Sequence, residues 1–216
     1  YAASAAMSAK SFDPGVAVAY IASGEVYPDA LSGAPVAGKD RGPVLLVEDD
    51  RLPGGIQAEL RRLTPGRIVI LGGPATVGTA VADKLEDYTS GGVSRLFGDD
   101  RFATSAAISR DAFDPGVPTV YIASGRIYTD ALSGAPVAGK TATPVLLVDT
   151  DAIPASIAAE LTRLKPGRII VMGGTSTITA KVETALRRYT SGGVLRYSGA
   201  DRFDTSAAIA HENYNP

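Results

Sequence analysis

The chain has 216 residues, of which 45% are hydrophobic and 20% are charged, and its formal net charge at pH 7 is −2. This balance is typical of an ordinary globular protein, and it lacks the excess of Lys and Arg expected of a nucleic-acid-binding surface. The absence of cysteine excludes disulfides, thiol catalysis and cysteine-based zinc sites, and no apolar run reaches the about 18 residues of a membrane span.

The predicted elements recur with a spacing of 101 residues, because the chain aligns with itself at that offset without insertion or deletion. The segment 20–39 returns as 121–140 with differences only at residues 25, 26 and 28. A third copy begins near the end of the chain, where residues 203–216 resemble residues 1–14. Such a repeat predicts tandem modules. The expected units are 1–101 (in a permuted register), 102–202 and 203–216.

In each copy, short runs rich in Val, Ile and Leu alternate with helical patterns, which is typical of a parallel sheet with crossover helices. Asp100 is the predicted N-cap of the first helix in the second copy, and Pro136 lies inside the second helix. In chain order, the elements predicted for the second copy are a helix over 102–113, a strand over 120–123, a helix over 130–140, a strand over 144–148, a helix over 154–164, a strand over 168–172, a helix over 179–189 and an edge strand over 193–197. The pattern predicts an α/β fold of tandem three-layer modules with open parallel sheets.

A glycine pair directly follows the third strand of each copy, as Gly72-Gly73 and as Gly173-Gly174. Glycine lets the backbone approach a ligand closely, and we expect the next helix to offer its N-terminal N–H groups to an anion. Ligands of open α/β sheets bind at the carboxyl ends of the strands, which is where these pairs lie. The alternative interpretation is a tight turn between strand and helix.

Four arginines recur at matching positions. Arg67 and Arg168 open the third strands, whereas Arg101 and Arg202 follow an Asp-rich turn. A guanidinium group can hold a phosphate or carboxylate through two parallel hydrogen bonds, so these arginines are candidate contacts for an anionic polymer. For Arg101, a structural ion pair with Asp100 is an equally good interpretation.

Acidic residues follow the second strand in both copies, as Glu48 and Asp50 and as Asp149 and Asp151. Alternate carboxylates after a strand are possible ligands for Mg²⁺ or Ca²⁺, and a solvated loop is the simpler interpretation. The sequence does not decide whether a divalent cation binds there.

Asp29 and Asp130 follow the first strand of their copies, close to several serines. Hydroxyls and a carboxylate can bind sugar hydroxyls, and they can equally cap the following helix. The chain's single histidine, His211, does not recur in the other copies, so no acid–base pair is repeated. The sequence therefore predicts no catalytic centre.

Several motifs, in this order along one repeat, resemble the cell wall binding repeat 2 family of Gram-positive surface proteins. The motifs are 98–104, 20–24, 29–33, 43–47 and 70–73. The resemblance implies open, Toprim-like α/β modules that pack as threes around a pseudo-threefold axis and hold anionic wall polysaccharide without a covalent bond. It also implies that the segment preceding the glycine pair contributes to polymer binding. That segment ends in Ile70-Leu71 in the first copy and Val171-Met172 in the second.

The main hypothesis is a non-catalytic module that anchors a secreted protein to an anionic polymer of the cell wall, outside the cell and without a cofactor. Its expected partners are that polymer and other copies of the same repeat, within one chain or between chains. The first alternative is a structural repeat of a surface fibre that assembles through module–module contacts. The second alternative is a hydrolase dependent on a divalent metal, based on the acidic loops.

Overall fold

The structure, a computed structural model, describes the backbone of residues 1–214 and the side chains of residues 1–211. The elements of the first copy are α1 (Ala2–Ser11), β1 (Val18–Ser23), α2 (Tyr27–Asp40), β2 (Val44–Val47), α3 (Gly54–Leu63), β3 (Arg67–Leu71), α4 (Thr79–Leu85) and β4 (Val93–Leu96). Those of the second are α5 (Arg101–Ala112), β5 (Thr119–Ser124), α6 (Tyr128–Thr141), β6 (Val145–Val148), α7 (Ala155–Leu164), β7 (Arg168–Met172), α8 (Ala180–Leu186) and β8 (Val194–Tyr197). Helix α9 (Arg202–Tyr214) follows them. None of the helices within residues 1–214 has the length and hydrophobicity that a membrane span requires.

Each copy forms its own four-stranded parallel sheet. The strand orders are β2-β1-β3-β4 and β6-β5-β7-β8, and all pairings are parallel. Both fourth strands lie at a sheet edge. The predicted α/β class, with one parallel sheet per repeat of about 100 residues, is therefore confirmed.

Alternate residues of each buried strand face different helix layers, as the pleat of a strand requires. In β1, Ala19 and Ile21 pack in a core cluster with α3 and α4. Tyr20 and Ala22 face the opposite way and belong to a cluster that contains α2 and most of the second copy. Each sheet is thus covered by helices on both faces, and the α2 side of the first copy is continuous with the core of the second.

The first helix of each copy packs against the sheet edge and the third helix of that copy. Helix α1 contacts β2 and α3, and α5 contacts β6 and α7. A buried hydrogen bond supports each contact, from Ser8 Oγ to Glu59 at 2.5 Å and from Ser109 Oγ to Glu160 at 2.7 Å. Helix α5 begins at Arg101, so this residue lies with the second copy, one residue before the unit boundary expected from the repeat.

The predicted elements differ from the structure mainly at their ends. The expected N-cap is confirmed, because the Asp100 side chain accepts the Ala103 N–H at 2.7 Å, and Pro136 does lie inside α6. The single helix expected over 179–189 is wrong, since α8 ends at Leu186 and a short 3₁₀ turn follows. The last two residues of the expected third unit lie outside the described residues.

Helices α2 and α6 form the contact between the two copies. They approach so closely that a Cβ on Gly38 would lie 2.6 Å from Gly139 Cα. The rings of Tyr27 and Tyr128 pack at a centroid distance of 5.1 Å. The two copies thus share a buried interface in which α2 contacts its equivalent α6 and also α5 and β6.

Candidate functional site

A cleft of about 190 Å³ opens where the strands of the first sheet end and α5 begins. It combines polar groups of the first copy with the start of a helix that packs on the second copy. Its polar and glycine lining includes Asp29, Gly73, Thr76, Asp99, Asp100 and Arg101. Carboxyl ends of parallel strands are the usual ligand-binding edge of an open α/β sheet.

Gly72 shapes this cleft through its backbone conformation. Its φ is +108°, in the region that favours glycine, and its N–H donates to the Leu96 carbonyl at 2.9 Å. A Cβ at this position would overlap the carboxylate of Asp29 and the hydroxyl of Thr76. The absence of a side chain therefore lets a carboxylate lie directly against the turn that ends β3.

Asp29 is a buried carboxyl group that lines the cleft, with 5% of the residue exposed. Burial raises its pKa, while a hydrogen bond from Thr76 Oγ1 at 3.4 Å and the charge of Arg101 oppose that rise. A carboxylate offers about four acceptor positions, and this long bond uses one of them weakly. Asp29 can therefore still accept hydrogen bonds from the hydroxyls of a ligand.

Arg101 connects the cleft to the second copy. Its Nη1 donates to the carbonyl oxygen of Gly125 at 2.7 Å, at the end of β5. The cleft therefore contains one guanidinium among the carboxylates of Asp29, Asp99 and Asp100. This mixture of donors and acceptors suits a ligand rich in hydroxyl groups better than it suits a bare anion.

The same arrangement recurs in the second copy. Gly173 has a φ of +111°, and a Cβ there would overlap the carboxylate of Asp130. Thr177 Oγ1 donates to Asp130 at 3.4 Å. Burial raises the pKa of Asp130, and the hydrogen bond from Thr177 and the charge of Arg202 oppose the rise. The repeat thus reproduces the geometry around the buried carboxyl group.

Of the arginines and glycines predicted as ligand contacts, the structure brings Arg101 and the glycine pair together at this cleft. Arg67 and Arg168 lie at the opposite ends of β3 and β7, about 16 Å from the glycine pairs at the usual rise of a strand. Arg67 Nη2 lies 3.4 Å from Asp40 Oδ2. Arg168 Nε donates to Thr119 Oγ1 at 2.9 Å.

The four apolar residues before the glycine pairs point into the core. Ile70, Leu71, Val171 and Met172 have at most 1% of their surface exposed. Leu71 and Met172 fill the space against glycines of α2 and α6. Their side chains therefore do not reach the cleft, and they act on it only by holding the strand that carries the glycines.

A turn separates the glycine pair from the helix that follows it. The N–H groups of Thr76 and Val77 both donate to the Gly73 carbonyl at 3.0 Å, forming a turn. Helix α4 begins only at Thr79. The tight turn that the sequence left as the alternative is what the structure shows.

The acidic loops after the second strands are neutralised by arginines. Glu48 accepts two hydrogen bonds from Arg51, at 2.8 and 2.6 Å. Asp149 accepts two from Arg126, at 3.1 and 2.8 Å. No group of three potential metal ligands occurs among the described residues, including around Asp50 and Asp151.

Sequence reasoning missed two partners of the glycine turns. Thr76 and its counterpart Thr177 contact the buried carboxyl groups, and Arg95 and Arg196 donate to the carbonyls of the first glycine in each pair, at 2.9 and 2.6 Å. All of them recur at the 101-residue offset. Recurrence of a polar residue could have pointed to them, although not to the contacts they make.

The sequence model of one family, Cell wall binding domain 2 (CWB2), matches residues 1–82 and 95–183. The amidase enhancer of Bacillus subtilis strain 168 is 28% identical over 187 residues, which are 86% of this chain and 24% of that protein. N-acetylmuramoyl-L-alanine amidase LytC of the same strain is 26% identical over 194 residues, 90% of this chain and 38% of LytC. The chain thus spans well under half of either relative.

Two solved structures resemble the chain over nearly its whole length. Cwp6 from Clostridium difficile superimposes with a TM-score of 0.87 at 27% identity, over 94% of this chain and 32% of Cwp6. Cwp8 from the same organism superimposes with a TM-score of 0.88 at 26% identity, over 98% of this chain and 36% of Cwp8. Both likenesses cover the two copies together.

Proposed function

Because the chain belongs to the Cell wall binding domain 2 family, we propose that it is a non-catalytic module that holds a surface protein on an anionic polysaccharide of the cell wall. The observation that carries the proposal is the recurring arrangement of a buried carboxyl group, a threonine and an arginine at a glycine turn. Asp29 and Asp130 accept hydrogen bonds from sugar hydroxyls, and Arg101 and Arg202 donate to ring or acidic oxygens.

Repetition of a weak site supports an anchoring role. Linking two modest binding sites raises overall affinity by about 10²–10⁴ without any new contact, provided that both engage one polymer. Two copies in a rigid arrangement meet that condition without the entropy loss of a flexible linker. Duplication of a catalytic site, in contrast, does not by itself give this increase in affinity.

The metal-dependent hydrolase is the weaker alternative. The carboxylates proposed to bind its cation, Glu48 and Asp149, are held by arginines in bidentate pairs. No histidine lines the described cleft around Asp29, and the hydrogen bond to that carboxyl group comes from Thr76 rather than from an acid or a base. We therefore propose a binding module without a cofactor, located outside the cell at the wall.

We expect Arg101→Ala combined with Arg202→Ala to weaken binding to purified cell walls by about tenfold or more, because each change removes a charge-assisted donor. Binding is measured by co-sedimentation with walls before and after acid extraction of their anionic polymers. Arg51→Ala is the control, since that side chain is 68% exposed and does not line the cleft. Unchanged binding by a correctly folded double variant would remove the cleft from the proposal.

Arg67→Ala and Arg168→Ala form a second arm of the same experiment. These two arginines remain proposed polymer contacts at the far ends of the strands, where they would meet a different stretch of the polymer. A smaller loss of binding is expected, since both already have protein partners. No loss at all would restrict the binding surface to the glycine end.

A second function, assembly through module contacts, is favoured by an apolar hollow of about 470 Å³. It lies between α1, α2 and β2 of the first copy, and Leu132 of α6 also lines it. In the second copy the corresponding hollow between α5, α6 and β6 is filled by α2. We propose that the equivalent helix of a third copy fills the open hollow.

This assembly is testable by the oligomeric state of the chain. Multi-angle light scattering at rising concentration is expected to show association, and Leu132→Asp is expected to abolish it. The side chain of Leu132 is 56% exposed, so the substitution leaves the folded chain intact. A monomer at all concentrations, with no gain when a separate third repeat is added, would contradict the proposal.

A further inference from the structure

Two equivalent arginines, Arg95 in β4 and Arg196 in β8, have different environments. Each donates from Nη1 to the carbonyl of the glycine that ends the neighbouring strand. Arg196 also donates from Nε to the carboxylate of Glu183 in α8 at 2.7 Å and from Nη2 to the Ile178 carbonyl at 2.9 Å. The second copy therefore neutralises its arginine with its own carboxylate.

The first copy has no such carboxylate. Its counterpart of Glu183 is Ala82, and Arg95 forms no ion pair with any side chain in residues 1–211. Burial lowers the pKa of Arg95, because nothing offsets the loss of solvent around its charge. A half-buried guanidinium is thus left facing the place that a carboxylate occupies in the other copy.

An exposed aromatic ring lies at the same glycine pair as this arginine. Arg95 bonds the Gly72 carbonyl, and Phe97, two residues later, follows the end of β4. It is 49% exposed, and its ring lies next to Gly73, since a Cβ there would be 3.4 Å from Phe97 Cδ2. In the second copy the corresponding residue is Ser198. The first copy alone therefore combines an unpaired cation and a ring.

We propose that Arg95 and Phe97 form a subsite for an acidic sugar unit, in which the guanidinium binds a carboxylate or phosphate and the ring packs on the pyranose. Glu183 shows that a carboxylate fits against this guanidinium with good hydrogen-bond geometry. In the second copy Glu183 fills that place and Ser198 offers no ring. The two repeats are therefore unequal, and one anionic subsite serves the pair.

The inference rests on the proposed function for its natural ligand, whereas the subsite itself is tested with small probes. Isothermal titration and NMR of the Arg Nε–H groups would follow binding of D-glucuronate, glucose 6-phosphate and, as the uncharged control, glucose. Of the two equivalent arginines, only Arg95 is expected to form a site, with shifts at Arg95 and not at Arg196. Preference for one of the two acids identifies the anionic group.

The variants give each copy the residue that the other copy has, or a close equivalent, at the positions where the two copies differ. Ala82→Glu is expected to pair with Arg95 and to weaken probe binding by about tenfold or more. Ala82→Gln occupies the same space without charge and separates electrostatic from steric blocking. Glu183→Ala is expected to free Arg196 and to give a second, weaker site, since Phe97 has no counterpart there. Phe97→Ser is expected to weaken only the first site.

These results separate the subsite from the proposed function. Probe binding at Arg95 without any wall binding would contradict the proposed anchoring role and would support the subsite. The subsite would be contradicted if Ala82→Glu did not change wall binding and if the probe shifts were equal at both arginines or absent. The proposed anchoring role would be unaffected by that result. Folding is not at issue, because the second copy already carries a glutamate at this place.

Discussion

Gly38→Ala is expected to destabilise the protein by about 3 kcal/mol or more, although alanine is intrinsically the better helix residue by about 1 kcal/mol. The new Cβ would overlap the backbone of Gly139 in α6, with 2.6 Å to its Cα. Backbone atoms in two packed helices cannot move aside as a flexible side chain can, so α2 and α6 must separate. Denaturant unfolding of the variant measures the loss.

The matched control is Gly139→Ala, on the other side of the same contact. Its Cβ would meet the Ala34 carbonyl oxygen at 3.4 Å and the Gly38 Cα at 3.9 Å, which are tolerable contacts. We therefore expect no loss, and a gain of up to about 1 kcal/mol from helix propensity. Equal effects of the two substitutions would show that the two helices do not pack as described.

Glu160→Ala is the second change with a large expected effect, a loss of about 3–5 kcal/mol. The carboxylate is fully buried and accepts hydrogen bonds from Ser109 and Arg163, which also bonds the Phe113 carbonyl. Removing it leaves a partly buried guanidinium without its counter-charge and detaches α5 from α7. Urea unfolding at pH 7 is the measurement.

Arg110→Ala is the control for this cluster, because Arg110 is 59% exposed and lies 3.5 Å from Glu160. A change of less than about 0.5 kcal/mol is expected, because solvent screens the charge of the exposed Arg110 and Arg163 remains paired with the carboxylate. A loss as large as that of Glu160→Ala would mean that charge at the surface, rather than burial of the carboxylate, stabilises this helix contact.

The equivalent cluster of the first copy adds a pH dependence. Hydrogen bonds from Arg62 lower the pKa of Glu59 below its usual value, with a further contribution from Ser8, against the opposing effect of burial. A depressed carboxyl pKa stabilises the folded state at pH values above the unfolded pKa, and this stability is lost as the pH falls through the folded pKa. Acid should therefore loosen α1 from α3.

The sequence was sufficient for the α/β class and the parallel sheets, because both rest on local patterns that occur twice. Buried parallel strands are short apolar runs, and Asp100 is a capping residue of the expected type. The sequence did not predict where the last helix of each copy ends and the chain turns back towards the sheet. The helical pattern continues past Leu186, but Thr190 Oγ1 bonds the Gly167 carbonyl at 2.7 Å and draws the chain to the start of β7.

The site was predicted only in part, for two physical reasons. Arg67 and Gly72 are five residues apart in sequence, but the extended strand β3 between them places them at opposite ends of that strand. The second reason is that identical segments have different surroundings: Leu31 is 7% exposed and its counterpart Leu132 is 56% exposed. Local sequence cannot distinguish two copies whose difference arises from the neighbour that packs on each.

The first cleft takes its aspartate and glycines from one copy and its arginine from a helix that packs on the next. The proposed ligand pocket therefore straddles the junction between the two repeats. Residues 29–39 are identical to residues 130–140, so unequal crossing-over between repeats would lengthen or shorten the array. Each new junction would still contain the same set of cleft residues. Under the proposed function, the affinity for the polymer would then change over generations in steps of one repeat, with no point mutation at any contact.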